Sequence, residues 1–255
     1  MKVLLFGLGS IGQRHARNLR VLRPNAEIVC VDPDDSISLH TDWRAALADH
    51  PGADCAIIAS PTPAHLDQAI ALRVLSIPFY VEKPIGTPDQ AEQWTRLDNG
   101  LRCAVGYQYR FHSVYNAYAD QIRQSGYARF YARDNLIDRY GTDCMGAIAN
   151  HPIDTALWLL GPARNVMLVD EGVSVYCEID HERGLSIHDY RIDESPRASW
   201  VSAQREGGWW SLEANDQMYI DALSAWLTWV EGGARDSRLA MLADGVQVLN
   251  VMKEK

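Results

Sequence analysis

A short apolar run through Val3-Leu4-Leu5-Phe6 leads into Gly7-Leu8-Gly9-Ser10-Ile11-Gly12, after which Ile11, Ala16, Leu19 and Leu22 recur at helical spacing. The pattern predicts a strand, a tight turn and a helix. Pro24-Asn25 breaks the helix, and Glu27 to Val31 is a second strand-like run ending in Asp32, which completes one βαβ unit. The alternation continues with a short helix near 42–49, a strand at 54–59, a helix over 63–75 and a strand at 79–81. A helix then opens at Pro88, where a missing amide hydrogen costs nothing, and runs to about 98 before a strand at 101–105. Short apolar strands alternating with helices bury both faces of a parallel sheet. An α/β Rossmann fold, a doubly wound parallel sheet, is therefore expected for a first domain of residues 1–109.

Beyond Tyr109 the grammar changes. A helix is predicted near 112–124, a strand at 128–136 and a helix over 148–160 that Gly161-Pro162 stops. From 166 to 210 several short runs, such as Val173-Ser174-Val175-Tyr176-Cys177 and Leu185-Ser186-Ile187-His188-Asp189-Tyr190, are separated by turn residues and suit an antiparallel sheet. Two amphipathic helices close the chain, about 216–231 and 238–252. A smaller α+β domain with a mostly antiparallel sheet is thus expected over 110–255. Whether its last helix packs back on the first domain is open.

With 255 residues, 47% of them apolar, the chain can bury a substantial core. It has no uninterrupted apolar run of membrane-spanning length, and it opens on a strand-like segment rather than a basic leader, so a cytoplasmic location without membrane partners is expected. A net charge of −9 with only four lysines argues against a nucleic-acid partner. The five cysteines, Cys30, Cys55, Cys103, Cys144 and Cys177, form no C-x-x-C pair and read as reduced thiols, so no metal site is expected.

The glycine turn carries the first chemistry. Gly7 permits the tight turn, Gly9 lets backbone approach a pyrophosphate, and Gly12 lets the helix lie close to the strand, while the helix N-terminal amides face the phosphate charge. Asp32, twenty positions after Gly12, can accept hydrogen bonds from ribose hydroxyls, which favours NAD over NADP; Arg14 keeps NADP as the second choice. Glu82-Lys83-Pro84 falls just after the fourth strand, at the carboxyl edge where open α/β sheets bind ligands. Lys83 is the sole lysine between Lys2 and Lys253 in a chain that otherwise uses arginine, and only an amine can release a proton at usable pH. A loop lysine paired with Glu82 is the plainer reading.

Taken in order, Gly7 to Gly12, Glu82-Lys83-Pro84, Gly106-Tyr107-Gln108-Tyr109-Arg110-Phe111 and His151-Pro152-Ile153-Asp154 resemble the glucose-fructose oxidoreductase, inositol dehydrogenase and MocA family. The resemblance implies an NAD(P)-dependent dehydrogenase acting on a secondary alcohol or ketone of a sugar, cyclitol or nucleotide-linked sugar. It implies Lys83 as catalytic acid/base with His151 as its partner, both facing the nicotinamide. Gly7, Gly9, Ser10, Ile11, Gly12, Asp32, Ser60, Pro61, Thr62, His65, Glu82 and Lys83 would bind the cofactor, and Tyr107, Arg110 and Asp154 the substrate. A homodimer or homotetramer joined through an exposed sheet face is implied as well. From the residues alone, His151 and Asp154 could equally cap and pack a helix, and Arg110 could serve a salt bridge. One departure matters: Ala147 stands where many members carry an acidic residue one turn before the histidine, and Asp143 could replace it. An NAD-binding sensor without turnover therefore stays open as the alternative, as does reduction of a double bond or imine.

Overall fold

In the computed structural model, which describes residues 1–38, 40–97, 100–135 and 148–254, the apolar run Val3 to Phe6 is fully buried within β1 (Lys2–Phe6). Contacts divide the chain into two units: residues 1–107 with 219–246, and residues 108–218 with 247–255.

The first unit contains β2 (Glu27–Val31), β3 (Cys55–Ile58), β4 (Phe79–Val81) and β5 (Ala104–Val105), all parallel, in the order β2-β1-β3-β4-β5. His40 makes one parallel bridge to Val31 beyond β2. With that residue counted as a vestigial outermost strand, the order is the Rossmann one. The linking helices α1 (Ser10–Leu22), α2 (Trp43–Asp49), α3 (His65–Val74) and α4 (Ala91–Leu97) follow the predicted alternation. Asp42 caps α2 by accepting from the Arg44 amide at 2.8 Å, and α4 is introduced by a short 3-10 turn starting at Pro88. Because β1 is followed on one side by β2 and on the other by β3, a crevice forms at their carboxyl ends, and the loops bearing Gly7 and Ser60 emerge there.

Residues 219–246 return to this unit. Most of α7, the helix Asp216–Val230, packs its buried Trp226 against Tyr80, ring centroids 5.6 Å apart, and the indole N–H donates to the Arg102 carbonyl at 2.9 Å. Ala240 pairs antiparallel with Val105 at the β5 edge just before α8 (Leu242–Lys253).

The second unit is built on a six-stranded sheet in the order β11-β10-β6-β9-β8-β7, from β6 (Tyr127–Asp134), β7 (Ala163–Asp170), β8 (Ser174–His181), β9 (Gly184–Ile192), β10 (Ala198–Ser202) and β11 (Trp209–Ser211). Its neighbours pair antiparallel except β6 and β9, which run parallel through eight register positions. A parallel pair requires a crossover, and the chain between β6 and β9 supplies one that includes α6 (Asn150–Leu160). Strand periodicity could not reveal it. With α5 (Ser113–Ser125), α6 packs on the face formed by Ala128, Phe130, Ala132, Val175, Cys177 and Ile179.

A buried polar chain crosses that face. His181 Nδ1 lies 2.7 Å from the Gly161 carbonyl, its Nε2 lies 2.8 Å from Ser186 Oγ, and Ser186 Oγ lies 2.8 Å from His188 Nε2, whose Nδ1 meets the Tyr190 hydroxyl. A carbonyl can only accept, so His181 donates from Nδ1. Ser186 then donates to His181 and accepts from His188, and Tyr190 donates to His188 Nδ1. Every proton position follows from one backbone oxygen, with both rings neutral; burial drives the His188 pKa down to about 3 and lowers that of His181 as well.

The sheet's other face presents Tyr131, Trp200 and Trp209 around an open groove of about 290 Å³, with Arg129 over the Trp209 ring and Arg133 over that of Trp200. Met167 and Val169 are exposed on β7 at the far end of the sheet. No described helix is long and apolar enough to cross a membrane. Cys30, Cys55, Cys103 and Cys177 are thiols, while Cys144, with Arg139, Asp143 and Ala147, lies outside the described residues.

Candidate functional site

In the first unit, the expected cofactor residues gather at the carboxyl edge of the parallel sheet. Gly7 has φ +91°, and a Cβ there would come within 2.6 Å of the Ala59 carbonyl oxygen and the Ser60 amide, so the glycine turn lies directly on the loop after β3. At Gly12 a Cβ would sit 1.9 Å from the Gly7 oxygen, which is how closely α1 approaches the turn. Gly9 is the reverse case: it is exposed, and a Cβ would meet nothing within 4 Å.

Gly9 is the N-cap of α1, with no side-chain capping bond and no acidic residue in the first turn. The 13-residue helix thus presents amides at its start, beside open space that an anion can fill. Asp32, half-buried at the end of β2, accepts from the Leu8 amide at 2.6 Å and from the Asp34 amide at 3.1 Å. A carboxylate has about four lone-pair sites, so acceptor capacity for ribose hydroxyls remains. A phosphate cradle and an acidic ribose acceptor on one sheet edge fit a dinucleotide.

After β3, Ser60 donates its hydroxyl to Gln68 Oε1 at 2.7 Å, and Pro61 and Thr62 lead through a short 3-10 turn into α3. His65, the first residue of that helix and 1% exposed, lies between two carbonyls: Nε2 is 2.7 Å from Ser60 O and Nδ1 is 3.0 Å from Pro84 O. Burial lowers its pKa against the opposing pull of those carbonyls and of Glu82.

Lys83 follows β4 and is half-buried, between buried Glu82 and the Pro84 ring. The Glu82 carboxylate accepts from His15 Nε2 at 2.8 Å, with the two side chains 6% and 1% exposed. His15 is the residue that sequence reasoning missed. Its signal was a histidine four positions before Leu19, inside the apolar stripe of α1, where a polar ring requires a buried partner. Tyr80 packs edge-on against His15, and burial pushes its hydroxyl pKa far up. Arg14 lies over the Tyr219 ring, 4.4 Å from its centroid. Tyr107, the last residue of this segment, is buried.

In the second unit, His151 sits in the first turn of α6, 9% exposed, with its ring centroid 4.6 Å from that of Tyr109. One turn later Asp154 receives a bidentate pair from Arg110, Nε to Oδ2 at 2.9 Å and Nη2 to Oδ1 at 2.5 Å, with side-chain exposures of 2% and 1%. Arg110 and Asp154, both expected to bind substrate, thus form a buried ion pair with each other inside one unit.

Fold and site together give a doubly wound α/β unit whose carboxyl edge carries the glycine turn, Asp32 and Lys83. Residues 1–109 match the family GFO_IDH_MocA, described as an oxidoreductase family with an NAD-binding Rossmann fold. Inositol 2-dehydrogenase of Streptomyces avermitilis is 30% identical over 184 residues, which is 62% of this chain and 53% of that protein. The scyllo-inositol 2-dehydrogenase (NAD(+)) of Bacillus subtilis is 30% identical over 49% of this chain and 40% of its own. The matched region therefore spans about half or less of these curated relatives.

Likeness of fold extends further. The WlbA (WbpB) dehydrogenase of Thermus thermophilus, solved with NAD and UDP-GlcNAcA, aligns with a TM-score of 0.80 over 98% of this chain and 93% of that one, at 18% identity. A myo-inositol dehydrogenase of Corynebacterium glutamicum aligns with the same score over 99% and 94%, also at 18%. At such identities the likeness speaks for the fold.

Proposed function

We propose that the protein is an NAD-dependent dehydrogenase that moves hydride between the nicotinamide and a secondary alcohol or ketone carbon of a sugar, cyclitol or nucleotide-linked sugar. The observation that carries this reading is Lys83, a half-buried amine on the same sheet edge as the uncapped glycine turn and Asp32. The two inositol dehydrogenases support the substrate class.

Bound NAD supplies the hydride acceptor. The amides of Gly9, Ser10 and Ile11 hold the pyrophosphate, Asp32 accepts from the ribose hydroxyls, and Ser60, Pro61, Thr62, His65 and Glu82 flank the cofactor. Lys83 takes the hydroxyl proton as hydride leaves the carbon, and returns it in the opposite direction. General acid/base assistance of this kind contributes about a hundredfold to ten-thousandfold. His151 is proposed as a second proton-handling group on the strength of the resemblance and of its buried position beside Tyr109. Tyr107 is proposed to touch substrate, whereas the mutual pairing of Arg110 and Asp154 favours a supporting role for both.

A cytoplasmic location belongs to this proposal, supported by the thiol state of Cys30, Cys55, Cys103 and Cys177. So does a homo-oligomer joined through the outer sheet face. There, Arg129 and Arg133 on β6 and Trp209 on β11 occupy one end, while Glu178 and Asp180 on β8 and exposed Met167 and Val169 on β7 occupy the other, a self-complementary pattern.

Incubation with NAD and a panel of inositols and UDP-sugars, followed by the absorbance of reduced cofactor, tests the activity. Lys83→Met should keep NAD binding and lose nearly all turnover; near-normal turnover refutes the assignment. NAD binding without turnover on every substrate would favour the sensor reading.

A further inference from the structure

Lys83 is held by its neighbours on both sides, and both holds originate in the turns that form the cofactor site. On the amino side, the Glu82 carboxylate lies in a built slot. A carboxylate only accepts, so His15 donates to it from Nε2 across 2.8 Å. A Cβ at Gly106 would fall 2.9 Å from the carboxyl carbon and from Oε1, so only glycine leaves the carboxylate its place. His15 is on α1, one turn past Gly12, and its position follows the seating of the helix on the glycine turn.

On the carboxyl side, the Pro84 carbonyl lies 3.0 Å from His65 Nδ1, while the same ring reaches back to the Ser60 carbonyl at 2.7 Å. His65 opens α3, directly after Ser60, Pro61 and Thr62. A neutral imidazole has one N–H, so His65, 1% exposed, donates to one of these carbonyls and packs its other edge against the second, and the ring thereby joins the loop after β3 to the backbone after Lys83.

We propose that His15 and His65 are positioning residues that couple the two cofactor turns to Lys83, one through the Glu82 carboxylate and the other through the Pro84 carbonyl. Dinucleotide binding that orders the glycine turn and the Ser60 loop thereby orders the amine. The coupling rests on the reading of Lys83 and NAD given above, and it adds a positioning role for two buried histidines, one of which, His65, also flanks the cofactor.

The test exploits the scarcity of lysine, four in 255 residues. Reductive ¹³C-methylation gives one dimethyl-lysine resonance per side chain, and Lys83→Arg identifies that of Lys83. In the wild type, NAD should shift the Lys83 resonance. In His15→Leu, NAD should still bind by calorimetry, the Lys83 response should be lost, and kcat should fall while KM for the sugar changes little; in His65→Leu, at a residue that flanks the cofactor, the Lys83 response should be lost at NAD concentrations that saturate the variant. Displacement of a reacting group by about 1 Å costs about a hundredfold.

His15→Gln and His65→Gln, which retain a donor, should recover part of both signals. They also carry the test if a leucine variant fails to fold by circular dichroism. A Lys83 response of wild-type size in variants at both positions overturns the coupling while leaving the catalytic lysine intact. Normal turnover in Lys83→Met sinks the underlying assignment instead.

Discussion

Replacement of Asp154 by leucine separates a structural role for the Arg110–Asp154 pair from a substrate-binding one. The guanidinium is 2% exposed and the carboxylate 1%, and their two contacts, 2.9 and 2.5 Å, form a side-on fork. Removing the carboxylate deprives a desolvated cation of its main counter-charge, which costs about 3–5 kcal/mol. At about 2–4 °C per kcal/mol for a chain of this size, the melting temperature should fall by roughly 6–20 °C. The double variant Arg110→Met/Asp154→Leu removes both charges from a site beside the Trp158 ring, over which Arg110 lies at 5.7 Å, and should recover most of that loss. Differential scanning calorimetry of the two single variants and the double variant measures this, with sugar KM determined alongside. A melting temperature within about 2 °C of wild type in Asp154→Leu, combined with a large rise in KM, would refute the structural reasoning and return the pair to the substrate.

Three further outcomes follow from the geometry. Gly12→Ala places a methyl group 1.9 Å from the Gly7 oxygen and should abolish NAD binding by calorimetry while the second unit stays folded; retained affinity contradicts the close approach of α1 to its turn. His188 has a folded pKa of about 3 against an ordinary 6.5, so the unfolded chain takes up its proton first: stability is full above about pH 6.5 and declines as pH falls toward 3. Urea melts of His188→Phe between pH 6.5 and 4 should show a pH slope smaller by up to about 1.4 kcal/mol per unit, and an unchanged slope counts against the buried neutral ring. Trp209→Glu, which puts a charge on the outer sheet face, should shift the protein toward monomer in light scattering after size exclusion, and an unaltered mass argues against that face as the contact between copies.

What the sequence determined by itself is the part of this protein that is local. The burial of Val3 to Phe6, the turn from Gly7 to Gly12, Asp32 twenty residues on and Glu82-Lys83-Pro84 at the end of a strand are short-range patterns, because strand and helix periodicity and glycine chemistry act over a few residues. The structure alone decided the pairings. His15 finds Glu82 across 67 positions and Arg110 finds Asp154 across 44; β6 lies parallel to β9, and residues 219–246 rejoin the first unit to bury Trp226 on Tyr80. A buried histidine or arginine announces that it must have a partner, but which one it takes depends on the topology that brings distant strands and helices together, and periodicity carries no record of that.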